Sequence, residues 1–284
     1  METLKIGQFT ITVIDDGIGH LPPSMYPGSV PADFDGVTDQ HGTVTIRAGA
    51  FLVEGPHGTV LVDAGAGVMA LPFPDAMTQA DELESPPDHL MKSGRLPESL
   101  RDAGVEPTAI DAVLITHLHS DHVGWIMTGH RPTFGSAIVY YPELDWPTLV
   151  DAADPADPGR IVLEHAAEAG ILRPYPSADA EILPGIRAVT VPGHTPGSVV
   201  VELASEGQKL WFTGDLIELP AQLQHDRIHF ATDADRGAAG EARTRLLREA
   251  REGGVVIVAS HLMAPTFRLI GADGDWVDAA AVGR

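Results

Sequence analysis

Four side chains able to bind a metal ion fall within six residues: His117, His119, Asp121 and His122 in THLHSDHVG. They follow directly on DAVLIT (111–116), a short continuous apolar run of the kind that forms a buried strand. The pattern HxHxDH arises by chance about twice in a thousand sequences of this composition, so a shared purpose outweighs four independent polar histidines. A strand end followed by a tight loop and a helix start can turn His117 and His119 toward one point. Asp121 and His122, a step further on, can then face a second point a few ångströms away. Two-metal hydrolytic sites need a separation of roughly 3.5–4 Å, filled by imidazole nitrogens and carboxylate oxygens. More donors are therefore expected at other strand ends, and three appear: His194 in VTVPGHTPGS, Asp215 in LWFTGDL and His261 in VVIVASHL. With no cysteine in the chain, thiolate sites, disulfides and a Cys nucleophile are excluded. Such N/O sets suit Zn²⁺, and also Mn²⁺, Fe²⁺ or Co²⁺.

The elements that must carry these donors follow from periodicity and turn residues. Residues 5–14 (KIGQFTITVI) read as a strand with Asp15-Asp16-Gly17 as its turn, and 19–42, rich in Pro, Gly and Asp, as a long arm. Residues 43–54 and 59–65 read as a hairpin around Gly55-Pro56-His57-Gly58. The stretch 66–96 shows little period, which is typical of a pocket-forming insertion. A helix follows from Pro97 to Gly104, then strands at 111–116 and 137–141, and helical patterns at 142–150 and 159–170. Three strands lie between 186 and 214. The amphipathic helix 236–254 has Asp233 or Asp235 as its N-cap, and strands at 255–260 and 266–270 close the chain. Helices spaced between runs of mostly antiparallel strands predict a layered α/β sandwich in one domain, 1–284.

The 284 residues carry 18 Lys+Arg against 40 Asp+Glu, a net charge of −22. That excess excludes a nucleic-acid or anionic-membrane partner, whose phosphates need basic patches. Hydrophobic residues at 44% are enough for a sizeable core. Neither a signal-peptide pattern nor an apolar run long enough to span a bilayer is present, so a cytoplasmic protein is expected.

The motifs THLHSDH, PGHTPGS, TGD and SHL, in this order from about Val60 to His261, resemble the metallo-β-lactamase fold superfamily. The resemblance implies a four-layer αββα sandwich with the site at the edge of its two sheets. It implies His117, His119 and His194 on one metal ion, Asp121, His122 and His261 on the other, and Asp215 bridging both. Asp63 in TVLVDAG resembles the family's early Asp, which supports the metal-binding loops from behind. The runs 93–125 and 212–250 look like the group containing methyl parathion hydrolase and the N-acyl-homoserine lactonases. The separate substrate domain of RNA-processing relatives has no visible counterpart. One position departs: Glu218 stands three residues after the bridging Asp, where related lactonases place a Tyr and organophosphate-type enzymes often a His. An ionised carboxylate cannot donate to a developing oxyanion.

The implied reaction is hydrolysis of a small molecule, a lactone or carboxylic ester, by a metal-bridging hydroxide that Asp121 orients while Asp215 holds both ions. A phosphotriester or thioester hydrolase would use the same site. A metal-dependent lyase or oxygenase, or a non-catalytic binding protein, is the alternative of another class. Candidate pocket residues are Met69, Leu71, Phe73, Trp125 and Phe230, with Glu218 and a His225/His229 pair spaced four apart as on a helix. The arm at 19–42 could serve a homodimer.

Overall fold

Residues that are buried on both faces of a strand must be apolar throughout, and residues with one wet face alternate. The hairpin Val44–Gly55/Gly58–Val62 is of the first kind: Phe51, Val53, Val60 and Val62 point one way, Ala50, Leu52 and Leu61 the other, and all are buried. The computed structural model describes residues 1–176, 179–271 and 274–281. Its nine-stranded sheet runs Leu172–Pro174, Ile138–Tyr141, Ala112–Leu114, Gly58–Val62, Val44–Gly55, Phe9–Leu21, His89–Ser93, Met69–Pro72, with Thr3–Ile6 also paired to Phe9–Leu21. A seven-stranded sheet runs Ala180–Leu183, Ile186–Thr190, Val199–Ser205, Gln208–Phe212, Val256–Val258, Arg268–Ile270, Trp276–Asp278.

The two sheets pack face to face through Ile11, Phe51, Val62 and Leu114 on one side and Val201, Leu210, Phe212 and Val258 on the other. The rings of Phe51 and Phe212 lie 5.3 Å apart at the centre. The helices Leu96–Asp102 and Pro158–Glu168 cover the outer face of the first sheet, through Leu96, Leu100, Leu163 and Ala166. The helix Arg236–Gly253 covers the second through Ala242, Leu246, Leu247 and Ala250. These four layers are the expected αββα sandwich. Gly58–Val62 pairs parallel with Ala112–Leu114, and Gln208–Phe212 parallel with Val256–Val258. Strand C-termini therefore gather at one edge. Among the described residues no helix is long and apolar enough to cross a membrane.

Several sequence expectations need correcting. The strand expected at 5–14 is two strands, Thr3–Ile6 and Phe9–Leu21, turning at Gly7, whose φ of 54° only glycine adopts freely. Asp15-Asp16-Gly17 is a register shift inside the long strand rather than a turn, and the strand uses up the first residues of the expected arm. The stretch 66–96 is not irregular: it holds Met69–Pro72, a helix Asp75–Ala80 and His89–Ser93. These strands sit at the sheet's exposed rim, where one-sided burial leaves little apolar period. At 142–150 the chain makes a 3-10 turn Glu143–Asp145 and one π-helical turn Pro147–Asp151, because Pro142 and Pro147 interrupt the donor ladder of an α-helix.

Candidate metal centre

Each expected donor stands just beyond a strand's C-terminus. After Ala112–Leu114 the chain passes His117 and enters the short helix Ser120–Val123, with His119 at its N-cap and Asp121 and His122 inside it. His194 follows Ile186–Thr190, Asp215 lies in the 3-10 turn Gly214–Leu216 after Gln208–Phe212, and His261 follows Val256–Val258. Gly214 has φ 54°, and a Cβ there would come within 3.0 Å of the Thr116 side chain. Only a glycine lets the turn carrying Asp215 sit this close to the strand end carrying His117.

The seven donors converge as two clusters. In the first, His119 Nδ1 lies 2.9 Å from His117 Nε2 and 3.0 Å from His194 Nε2, and Asp215 Oδ2 is 3.5 Å from each of those Nε2 atoms. In the second, Asp215 Oδ1 is 3.1 Å from His122 Nε2 and 3.3 Å from His261 Nε2, and Asp121 Oδ2 is 3.4 Å from His261 Nε2. Asp215 thus turns one oxygen to each cluster. The ligand atoms of His117, His119, His194 and Asp215, and those of Asp121, His122 and His261, lie within 4.8 Å of one another and could each hold a metal ion.

Proton placement fits a cation. His122 Nδ1 faces Asp63 Oδ2 at 2.9 Å, His194 Nδ1 faces Asp233 Oδ1 at 3.0 Å, and His261 Nδ1 faces the Arg47 carbonyl at 2.7 Å. All three partners accept, so Nδ1 carries the proton and Nε2 aims a lone pair inward. His122 Nε2 and Asp215 Oδ1 are buried without a hydrogen-bond partner. Burial, reinforced by His122, keeps His117 well below the ordinary histidine value, and burial with His194 brings His119 to about 4, so both rings stay neutral ligands. Burial alone would raise Asp215, but His122, His261 and His117 hold it well below the carboxylate range. Burial pulls His122 and His261 down most strongly, but Asp215 and Asp121, with Asp63 added for His122, together outweigh it and both rise. The second cluster draws positive charge.

Asp63 lies behind His122. Its carboxylate also accepts from the Thr116 N–H at 2.8 Å, and its φ of 61° is unusual for a non-glycine residue. Three supports have no signal in the sequence. Asp233 orients His194. Buried Asp145 ties the first loop to the His194 loop, accepting from Leu118 N–H (3.2 Å), Gly197 N–H (2.6 Å) and the Thr195 hydroxyl (3.0 Å). Buried Asp16 accepts from Ala66 and Leu96 N–H and from Trp125 Nε1.

A cavity of about 310 Å³ opens over the clusters, lined by His119, Asp121, Asp215, Glu218 and His261 at its floor. Met69, Leu71 and Phe230 line it as expected, joined by Leu21, Ile46, Leu90, Met91 and Leu149. Phe73 and Trp125 do not line it; the Trp125 indole is held by Asp16 and faces a separate surface hollow. His225 and His229 do not either. They are not a helical pair, because the 3-10 turn Pro220–Leu223 ends before them and His229 N–H bonds the Pro27 carbonyl. His225 instead approaches Asp33 Oδ1 at 3.6 Å, beside the Arg227–Asp33 ion pair that fastens the arm.

A family model described as "Metallo-beta-lactamase superfamily" matches residues 49–261. Ribonuclease TTHA0252 of Thermus thermophilus is 36% identical over 121 residues, 40% of this chain and 27% of that protein, so the chain spans about a quarter of that relative's length. AidC, a dizinc quorum-quenching lactonase solved with a product N-hexanoyl-L-homoserine, superimposes with a TM-score of 0.76 at 21% identity, covering 97% of this chain and 96% of that one. A probable metal-dependent hydrolase from Staphylococcus aureus gives 0.78 at 19% identity, covering 97% of each chain. Both likenesses concern the fold.

Proposed function

The chain belongs to the metallo-β-lactamase superfamily, and from that premise we propose that it opens lactones or carboxylic esters with two divalent metal ions, Zn²⁺ by preference, its substrates being of the N-acyl-homoserine lactone kind. The carrying observation is the convergence of five imidazoles and two carboxylates, in clusters sharing Asp215, on the floor of an apolar cavity. His117, His119 and His194 would hold one ion, Asp121, His122 and His261 the other, and Asp215 both. Ions so held supply Lewis acidity and lower the pKa of a bound water toward neutrality.

The chain's own residues do the rest. Asp121, whose side chain is 25% exposed into the cavity, accepts a proton from the attacking water and fixes its direction. Asp63, Asp233 and the Arg47 carbonyl keep the imidazoles in one tautomer and orientation. Leu21, Ile46, Leu71 and Phe230 give an acyl chain a dry wall, so the scissile carbonyl comes to rest over the clusters. AidC's product, an N-acyl-homoserine, supports this substrate class. A second reading, a phosphotriester or thioester hydrolase, draws on Glu218, which offers no phenol to a carbonyl oxygen. The net charge of −22 weighs against RNA, the substrate class in the ribonuclease relative's name.

The test is ring opening of N-acyl-homoserine lactones by metal-stripped and zinc-reconstituted protein. Activity that appears only with metal, in step with two ions per chain, supports the reading. Equal activity in stripped protein overturns it.

A further inference from the structure

Glu218 is the one acidic group at the site for which the two clusters provide no role. It lies three residues past Asp215, on the strand-like segment before the 3-10 turn Pro220–Leu223, and is 1% exposed. Both of its carboxylate oxygens are buried without a hydrogen-bond partner. Its oxygen lies within 4.8 Å of ligand atoms of both Asp215 and His261. Asp215 Oδ1, the oxygen turned toward the second cluster, is likewise buried without a hydrogen-bond partner.

The chain holds Glu218 there rigidly. Gln222 Oε1 accepts the Glu218 N–H at 2.8 Å and the Leu219 N–H at 3.1 Å, and the buried Arg243 guanidinium donates to the Leu216 and Ile228 carbonyls. Arg243 donates to backbone through Nη1 and Nη2 and Gln222 through Nε2, Arg243 Nε is buried without a partner, and neither side chain is bonded to the carboxylate. The phenol of Tyr26, also buried, has no hydrogen-bond partner and so is not bonded to it either. Two buried carboxylates this close, with no hydrogen bond to either Glu218 oxygen, are strongly unfavourable while both are ionised, and a cation held between Glu218 and Asp215 relieves that cost.

We infer that Glu218 is a protein ligand of the second metal ion, giving that centre the donors His122, His261, Asp121, Asp215 and Glu218. This rests on the two-ion reading above and adds to it an asymmetry. The first centre offers three nitrogens and one oxygen, the second two nitrogens and three oxygens. Carboxylate-rich sets suit harder ions with more ligands, whereas imidazole-rich sets suit zinc. The second centre is thus the one that accepts Mn²⁺ or Co²⁺ most readily beside Zn²⁺, with fewer positions left for substrate.

The experiment titrates metal-free protein with Co²⁺, following visible absorption and stoichiometry, for wild type and Glu218→Gln. Wild type should take two ions. The variant should keep the first with unchanged affinity and bind the second about 10- to 100-fold more weakly, with a stronger visible band per ion as its coordination number falls. Melting the same samples guards against misfolding: metal-free Glu218→Gln should melt no lower than metal-free wild type, because Gln keeps the shape of the side chain and buries no carboxylate. Its rise in Tm on adding Co²⁺ should be smaller. Two ions bound with wild-type affinity and spectrum in the variant would overturn the Glu218 assignment alone. Fewer than two ions in wild type would overturn the two-ion reading and this assignment with it.

Discussion

Asp63→Asn separates the charge behind the metal centre from the backbone that carries it. Asn tolerates the left-handed φ of 61° nearly as well as Asp, so the local chain path should survive. What changes is polarity. The Asp63 carboxylate accepts from Thr116 N–H (2.8 Å), the Thr116 hydroxyl (3.0 Å) and His122 Nδ1 (2.9 Å). An amide has one acceptor oxygen, and its NH₂ must face one of those donors. If the oxygen stays on Thr116, His122 has to move its proton from Nδ1 to Nε2. That nitrogen sits 3.1 Å from Asp215 Oδ1 and is the one aimed into the second cluster. Losing a charge-assisted hydrogen bond costs about 1.5–3 kcal/mol, which corresponds to about 10- to 100-fold in metal affinity. The assay is competition for Zn²⁺ against a chromophoric chelator, with circular dichroism as the folding control. The second ion should weaken by that factor, the first much less, and saturating zinc should restore most activity. Unchanged affinity at the second site would refute the argument that Asp63 acts by fixing the His122 tautomer. So would equal weakening of both ions in a folded variant.

Asp215→Ala should abolish binding of at least one ion and reduce hydrolysis by about 1,000-fold or more, measured by metal analysis and initial rates; a variant with two ions and wild-type turnover contradicts its bridging role. Leu149→Trp narrows the cavity away from the metal donors, so kcat/KM for long-chain lactones should fall about 10-fold or more while short-chain substrates change little; a uniform loss across chain lengths would show that the cavity does not hold the acyl group. Burial raises the Asp39 carboxyl, but the Thr43 and His41 N–H groups, the Thr43 hydroxyl and His20 together bring it down to about 2. A lowered carboxylate pKa stabilises the fold at pH above its unfolded value, and that stability is lost as pH falls from about 4 to about 2. The Tm gap between wild type and Asp39→Asn should therefore be present at pH 6, equivalent to about 1 kcal/mol, and close toward pH 2; a gap independent of pH would contradict it.

The seven candidate donors are legible in the sequence because each lies in the loop or short helix that follows a strand, where an apolar run stops and a His or Asp follows. Local spacing alone brings His117, His119, Asp121 and His122 together, and parallel pairing of neighbouring strands brings the other three to the same edge. The supports are not legible, since their partners are distant in the chain. Asp145 meets Gly197 across 52 positions, and the Arg47 carbonyl meets His261 across 214. Asp233 and Asp235 both read as helix caps; Asp235 caps the helix through the Ala238 N–H, and Asp233 orients His194. Asp16 reads as a turn residue because Asp-Asp-Gly is turn chemistry, yet the long strand tolerates it as a register shift and buries it as an anchor for the pocket loop. The pocket was partly legible for the same reason: Met69, Leu71 and Phe230 lie in segments with an evident gap in period, whereas Leu21 and Ile46 belong to ordinary strands whose ends happen to reach the cavity.

Metal-dependent opening of a lactone or ester in the apolar cavity is the proposed reaction. It is tested most directly by acid release from zinc-loaded protein, in one weakly buffered indicator assay, against a matched panel. The panel holds short- and long-chain N-acyl-homoserine lactones, an aryl ester, an aryl phosphotriester, a thioester and a penicillin, with Asp215→Ala as control. Acid should come first from the lactones, graded by acyl chain length and absent in the variant. Two bound ions with no acid from any lactone or ester would contradict it.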